Sequence, residues 1–276
     1  METWRIINTG ASDPAWNMAV DEAILNVHSR GLVPPTVRFF GWNPPTLSIG
    51  YFQRATKEIN FDALKEHGLG FVRRPTGGRA VLHDRELTYS VIVSESHPMM
   101  PSSINESYRV LSMGLLEGFR ELGFAAEMVS LADEKEKEKF ASMGSAACFD
   151  SPSWYELVVE GRKVVGSAQV RQLHTILQHG SILLDLDIDQ LFAVLNFPSE
   201  RVRERFRSAF ADKAVSIKDF SGRDVSYEEA VAAFTVGFAR GLGVRLEPSE
   251  LTAEERELAE TLVREKYRDD SWNFKK

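Results

Sequence analysis

The sequence predicts an α+β fold, and three observations predict it. β-rich segments occur in runs rather than in strict alternation with helices, which disfavours a doubly wound parallel sheet. One of those runs, from Tyr155 to Asp185, reads as an antiparallel meander with a turn at Glu160-Gly161. After Asp187 the chain turns mostly helical. The predicted organisation is a single domain over residues 1–276, with a core at approximately 30–246 and a helical C-terminal segment at approximately 247–276.

The helices carry explicit start and stop signals. Asp13 followed by Pro14 is an N-cap with proline at the first helical position, opening a helix toward His28. Ser103 with Glu106 predicts a capping box. Behind it Tyr108, Leu111, Leu115, Phe119 and Leu122 recur at helical spacing until Gly123. Ser226 with Glu229 and Thr252 with Glu255 repeat the box pattern, each ahead of an apolar face. Strands are predicted at Thr36 to Phe40, Thr46 to Tyr51, Gly70 to Arg74 and Leu87 to Val93. The meander adds Tyr155 to Val159, Lys163 to Val170 and Thr175 to Asp185.

Composition limits the function classes. The 276 residues are 43% hydrophobic and 26% charged, close to the globular average, which excludes a disordered or fibrous chain. A net charge of -7 argues against nucleic acid as the partner. No apolar run reaches the ~18 residues that a membrane span needs, and a cytoplasmic setting is expected. The lone Cys148 has no second cysteine to pair with. There is no Gly-Lys dipeptide, so no Walker-type phosphate loop, and no Gly-x-Ser-x-Gly elbow. The six histidines are scattered, and no metal site is expected.

Three segments carry chemistry. Arg73-Arg74-Pro75-Thr76-Gly77-Gly78-Arg79 places two glycines where a ligand can lie against the backbone, behind arginines able to hold an anion. By residue type alone the same stretch is equally an ordinary glycine hairpin. Cys148 sits in a small-residue loop between a charged run (Asp133 to Lys139) and Pro152, a better setting for a nucleophile than for core packing. In the third segment Lys163 opens a strand whose Gly166 and Ala168 leave room on one face. A lysine beside such a cleft can stabilise an oxyanion or lower the pKa of a neighbouring thiol.

Taken together, these segments resemble the biotin/lipoate protein ligase superfamily. The likeness runs from Asn17-Met18-Ala19-Val20-Asp21-Glu22 to Gln178-His179-Gly180-Ser181-Ile182-Leu183. Within the superfamily the Cys148-Phe149-Asp150-Ser151-Pro152 segment most resembles the bacillus-type octanoyltransferases. The resemblance implies a mixed, mainly antiparallel sheet flanked by helices. It also implies transfer of octanoyl from octanoyl-acyl carrier protein, through a cysteine thioester, to a lysine of the glycine cleavage H protein or another lipoyl domain. Cys148 would be the nucleophile and Lys163 the cation beside it. Arg74, Gly77, Gly78, His83, Gly166, Ser167, Ala168, His179 and Gly180 would bind the substrate. Arg79 stands where the ATP-using ligases typically carry a third glycine, so neither ATP nor metal is expected as a cofactor. Arg38, Arg73, Arg79 and Arg171 are expected to form a positive entrance for acidic partners. Alternatives are octanoyl amidotransfer between lipoyl-domain proteins, an ATP-dependent lipoate ligase, and a non-catalytic lipoyl-domain binder.

Overall fold

The computed structural model describes residues 1–130 and 155–275, so Cys148 lies outside the described residues. The chain begins with strand β1 (Thr3–Ser12) and helix α1 (Pro14–Ser29), then β2 (Thr36–Trp42) and β3 (Thr46–Ile49). Two short helices, α2 (Ala55–Glu58) and α3 (Phe61–Glu66), lead to β4 (Gly70–Arg73), β5 (Val81–His83) and β6 (Glu86–Ser94). Helix α4 (Ile104–Glu121) and β7 (Glu127–Ser130) follow. The meander comprises β8 (Tyr155–Val159), β9 (Arg162–Lys163), β10 (Val165–Gln172) and β11 (Thr175–Leu183). The remainder is α5 (Ile188–Ala193), α6 (Glu200–Lys213), α7 (Ile217–Ser221), α8 (Tyr227–Leu242), β12 (Arg245–Pro248), α9 (Ala253–Leu262), which runs on as a π-helical turn (Val263–Tyr267), and α10 (Asp270–Asn273).

The main sheet has the order β10-β11-β6-β2-β1-β12. Its pairs are antiparallel from β10 to β2 and parallel from β2 to β12, giving the mixed, mainly antiparallel α+β architecture. One face packs against α4 and α8 through Val37, Phe39, Tyr89 and Val91. The other packs against α1 through Ile7, Phe40, Ile92 and Leu177. A second sheet, β4-β3-β5, carries its own apolar cluster with α5 and α6.

Local chemistry explains the helices. Asp13 accepts from the backbone N–H groups of Ala15 and Trp16, as its place before Pro14 predicts. Thr252 and Glu255 close a reciprocal capping box. Glu255 is also fully buried against Arg5, whose Nε donates to Thr36 Oγ1 at 2.7 Å, which ties α9 to the sheet. At Ser103 the predicted box does not form. Glu106 instead accepts from the Tyr155 hydroxyl at 2.6 Å and from Arg109 Nε at 2.9 Å.

Two strand expectations need correction. The meander is not one sheet: β8 pairs with β7 on one side and β9 on the other, while β10 pairs with β11 in the main sheet. The switch occurs at Val164, whose N–H donates to Leu157 in one sheet while its carbonyl accepts from Leu183 in the other. The terminal strands β1 and β12 also escaped the sequence reading, although β1 lies between two parallel partners.

Helices α4 and α8 approach so closely that glycine is required at their contact. A Cβ on Gly237 would lie 2.3 Å from the Gly118 nitrogen, and one on Gly118 would lie 2.2 Å from the Phe234 ring. Replacing Gly237 by alanine gains about 1 kcal/mol of helix propensity. Forcing the backbones apart costs about 1–3 kcal/mol and disturbs the rings as well. Gly237→Ala is therefore expected to lower the urea midpoint. A raised midpoint would show that the two helices part freely.

Candidate active site

A narrow slot lies between the main sheet and the second sheet. Its volume is about 20 Å³, room for roughly one water molecule. The main sheet contributes Trp42, Thr88, His179, Gly180, Ser181, Gly166, Ser167 and Ala168. Arg74, Val81 and His83 close it from the opposite side, with Met18 of α1. Seven of the residues singled out from the sequence therefore meet here: Arg74, His83, Gly166, Ser167, Ala168, His179 and Gly180. Gly77, Gly78 and Lys163 are not part of the lining.

Strand pairing explains why the slot exists. Gly166 faces Ser181 across the β10–β11 pair, and Ala168 faces His179. Cross-strand partners share a face, so the small residues leave space beside the larger ones. On the opposite face Tyr89 donates to Ser167 Oγ at 2.7 Å. A Cβ on Gly180 would lie 2.4 Å from the Gly166 carbonyl oxygen and 2.9 Å from the Tyr89 ring. Gly180 is therefore a condition of this packing.

The glycine turn is held from both sides. Gly78 has φ +91°, a conformation that disfavours a side chain. A Cβ on Gly50 would lie 2.0 Å from the Gly78 carbonyl oxygen, so the end of β3 can approach the turn only as glycine. Arg74 donates to the Ser48 carbonyl and hydroxyl and to the Gly77 and Arg79 carbonyls, at 2.7–3.2 Å. Arg73 donates to six backbone carbonyls: Gly50, Tyr51, Gln53, Trp272, Asn273 and Lys275. Arg73 is fully buried, and so is Arg38, which pairs with Asp21. Neither belongs to a positive entrance, which corrects that expectation. Burial here is supported by structural acceptors.

Two histidines give the slot its polarity. The His83 ring stacks on Trp42 with centroids 4.3 Å apart, and its Nε2 is 2.7 Å from Ser48 Oγ. Its Nδ1 lies 3.5 Å from Glu86, whose Oε1 accepts from the Thr88 hydroxyl at 2.6 Å. Burial pushes His83 below its ordinary 6.5, against the opposing pull of Glu86. His179 sits between Asp21 Oδ2, 3.3 Å from Nδ1, and Thr76 Oγ1, 2.6 Å from Nε2. Because a carboxylate only accepts, Nδ1–H donates to Asp21, and the Thr76 hydroxyl donates to Nε2. Burial lowers the His179 pKa as well. For Asp21 burial alone raises the pKa, but Arg38 and His179 outweigh it and hold the carboxyl below its ordinary value.

Lys163 is buried and does not line the slot. Its Nζ lies 3.1 Å and 2.9 Å from the two carboxylate oxygens of Glu156, itself 1% exposed. Two steps of chain then lead from Val164 into the small-residue wall. Three site residues escaped the sequence reading of roles: Asp21, Glu156 and Trp42. Asp21 had a signal, since with Glu22 it is one of two acids inside the otherwise apolar helical run Met18 to Leu25. Trp42 and Glu156 had none, since a strand tryptophan or an alternating glutamate reads as ordinary sheet. Among the described residues no three His, Cys, Asp or Glu side chains cluster as a metal site.

The family model for the lipoyl protein ligase A/B catalytic domain matches residues 13–239. The octanoyltransferase LipM of Brevibacillus brevis is 65% identical over 276 residues, covering all of both chains. That of Bacillus subtilis is 58% identical over 275 residues, covering 100% of this chain and 99% of its own. Among solved structures, a bi-partite lipoate protein ligase from Thermoplasma acidophilum is 26% identical with a TM-score of 0.81, covering 99% of this chain and 97% of that one. A lipoate-protein ligase A bound with ATP is 29% identical with a TM-score of 0.78, covering 99% of each chain.

The buried histidines set a pH dependence. His28, His83 and His179 all have native pKa values pushed below 6.5 by burial. Below that pH the unfolded chain binds protons that the native chain refuses, so stability falls with pH. The expected result is full stability above about pH 6.5 and a progressive loss beneath it, read from urea titrations at pH 7.5, 6.5 and 5.5. Replacing His83 by glutamine is expected to make the profile shallower. Equal slopes in the two proteins would remove His83 from this account.

Proposed function

The chain belongs to the lipoyl protein ligase A/B catalytic domain family and is an octanoyltransferase of protein lipoylation; we propose that it takes octanoyl from octanoyl-acyl carrier protein and passes it through Cys148 to a lysine of the glycine cleavage H protein. The observation that carries this reading is the buried Lys163–Glu156 pair, its lysine three residues along the chain from Gly166 of the slot wall. It supplies a cation and a carboxylate close in the chain to the small residues Gly166 and Ala168 of the slot. An eight-carbon chain is far larger than the slot in this state, so acylation has to displace side chains. Met18, unbranched and adaptable, is the wall best suited to move.

The chemistry balances in two steps. The Cys148 thiolate attacks the carrier thioester carbonyl; the carbon–sulfur bond to the pantetheine arm breaks, and the departing thiolate takes up a proton. This exchange of one thioester for another is close to neutral in free energy. The acceptor lysine amine then attacks the Cys148 thioester, losing a proton as the amide forms and the thiol is released. The intermediate divides the reaction and gives ping-pong kinetics. Lys163 would favour the thiolate by its charge, and Glu156 tempers that charge. No step calls for ATP or a metal, because the acyl group arrives already activated.

Intact-mass measurement after mixing with octanoyl-acyl carrier protein, in the absence of nucleotide, tests the covalent step. The expected result is one octanoyl adduct on the wild type and none on Cys148→Ala. Full transfer by the alanine variant would overturn the thioester route, and efficient use of free octanoate with ATP would make the protein a ligase.

The role of Lys163 needs a paired design. Lys163→Ala leaves the Glu156 carboxylate buried beside a lost partner, which is expected to cost about 3–5 kcal/mol of stability. Lys163→Ala combined with Glu156→Gln removes that charge and is expected to recover most of the stability without recovering transfer. Recovery of transfer as well would mean that Lys163 serves the fold alone.

A further inference from the structure

We infer that the groove between α2 and α6 is the docking face for the acidic acyl carrier that delivers the octanoyl thioester, an inference that rests on the carrier-borne donor proposed above. The groove has a volume of about 790 Å³. Among the described residues Arg54, Lys57 and Arg79 line it, with one acid, Glu58. Glu58 is turned toward its own helix: one oxygen accepts from the Arg54 N–H and the other from Gln53 Nε2, both at 2.8 Å. The balance facing the groove is positive on a protein whose net charge is -7. A positive surface of this kind attracts an acidic partner and speeds its encounter.

Apolar surface accompanies the charge. Phe197 and Phe206 form part of the groove and lie with ring centroids 6.1 Å apart. Beside Arg54, Phe52 is 84% exposed on the turn that precedes α2. Aromatic side chains and arginine are both enriched at interfaces. The groove is also rigid. The Asn60 N–H donates to the Val194 carbonyl and the Asn196 N–H to the Glu58 carbonyl, fastening α2 to the segment before α6.

The groove and the acyl slot share a wall. Arg74 lines the slot and donates to the carbonyl of Arg79, which lines the groove. Between them the Cβ position of Gly78 lies 3.9 Å from the Ala168 Cβ of the slot. A carrier seated on the groove therefore rests against the glycine turn, on the far side of which its acyl chain would be received.

The test is steady-state transfer to a lipoyl domain with octanoyl-acyl carrier protein as the varied donor. The double variant Arg54→Glu/Lys57→Glu is expected to raise KM for this donor about tenfold or more while kcat at saturation stays within about twofold. The wild-type KM is expected to rise with salt, and the variant's to respond weakly. Octanoyl-pantetheine, which has neither phosphate nor carrier, provides the comparison, and its KM is expected to be alike in both proteins. An unchanged KM for the carrier donor would overturn the inference, and so would an equal rise with both donors. If circular dichroism shows the double variant unfolded, Arg54→Gln/Lys57→Gln addresses the same face, with a smaller rise expected. A wild type that accepts octanoyl from neither donor would refute the donor reading itself, and this inference with it.

Discussion

The carboxylate of Asp21 is fully buried, and three strands are arranged around it. Arg38 of β2 and the Ser90 hydroxyl of β6 donate to Oδ1, at 2.7 Å and 2.8 Å. His179 of β11 meets Oδ2, and through its other nitrogen it receives the hydroxyl of Thr76. A buried charge is tolerated only when it is paired and hydrogen-bonded, and losing one partner leaves the remainder costly. The requirement works in both directions. It fixes α1 on three strands of the sheet, and it carries that fixation to the residue immediately before Gly77. The position of the glycine turn relative to the slot is thus dictated by electrostatics in the core rather than by the turn's own conformation.

The second constraint is space. Thr76 holds one end of the turn through His179, and its carbonyl accepts from the Tyr51 N–H at 2.8 Å. That close approach is possible because Gly50 has no side chain, just as the β10–β11 floor is possible because Gly180 has none. With larger residues at either position the sheets would separate and the slot would lose its walls. The glycines of the motif and of the strands therefore do different work: Gly78 supplies a backbone conformation, whereas Gly50 and Gly180 supply contact distance.

Much of this was legible in the sequence, and the misses share a cause. Caps at Asp13 and Thr252 were read correctly because their bonding partners lie within three residues. The box at Ser103 failed because Glu106 found Tyr155, a partner 49 positions away. The arginines fell the same way: Arg38 and Arg73 look like surface cations until the acceptors from α1, β3 and the C-terminal segment are in place around them. The convergence of Arg74, His83, Gly166, Ala168 and His179 on one slot was implied by the family resemblance that the motifs carry. The sheet switch at Val164 did not, since an unbroken β-rich run carries no local mark of changing partners.

That switch decides what Lys163 can be. Had the strand run on unbroken, Lys163 would alternate with Gly166 and Ala168 across one sheet and face away from the small-residue side. Instead β9 belongs with β8, which brings Lys163 opposite Val158 and its ammonium onto Glu156 two residues earlier on the same strand. The ion pair is dry, so its members interact far more strongly than a surface pair does. Such a lysine presents a dipole to its neighbours rather than a full positive charge, and its pull on any nearby thiolate is reduced accordingly. What the pair adds is an acceptor within hydrogen-bond reach of the ammonium. On the proposed route, a carboxylate paired directly with an ammonium would suit the step in which the incoming amine loses a proton. On the proposed route, the same two side chains would therefore suit the amine step better than the thiol step.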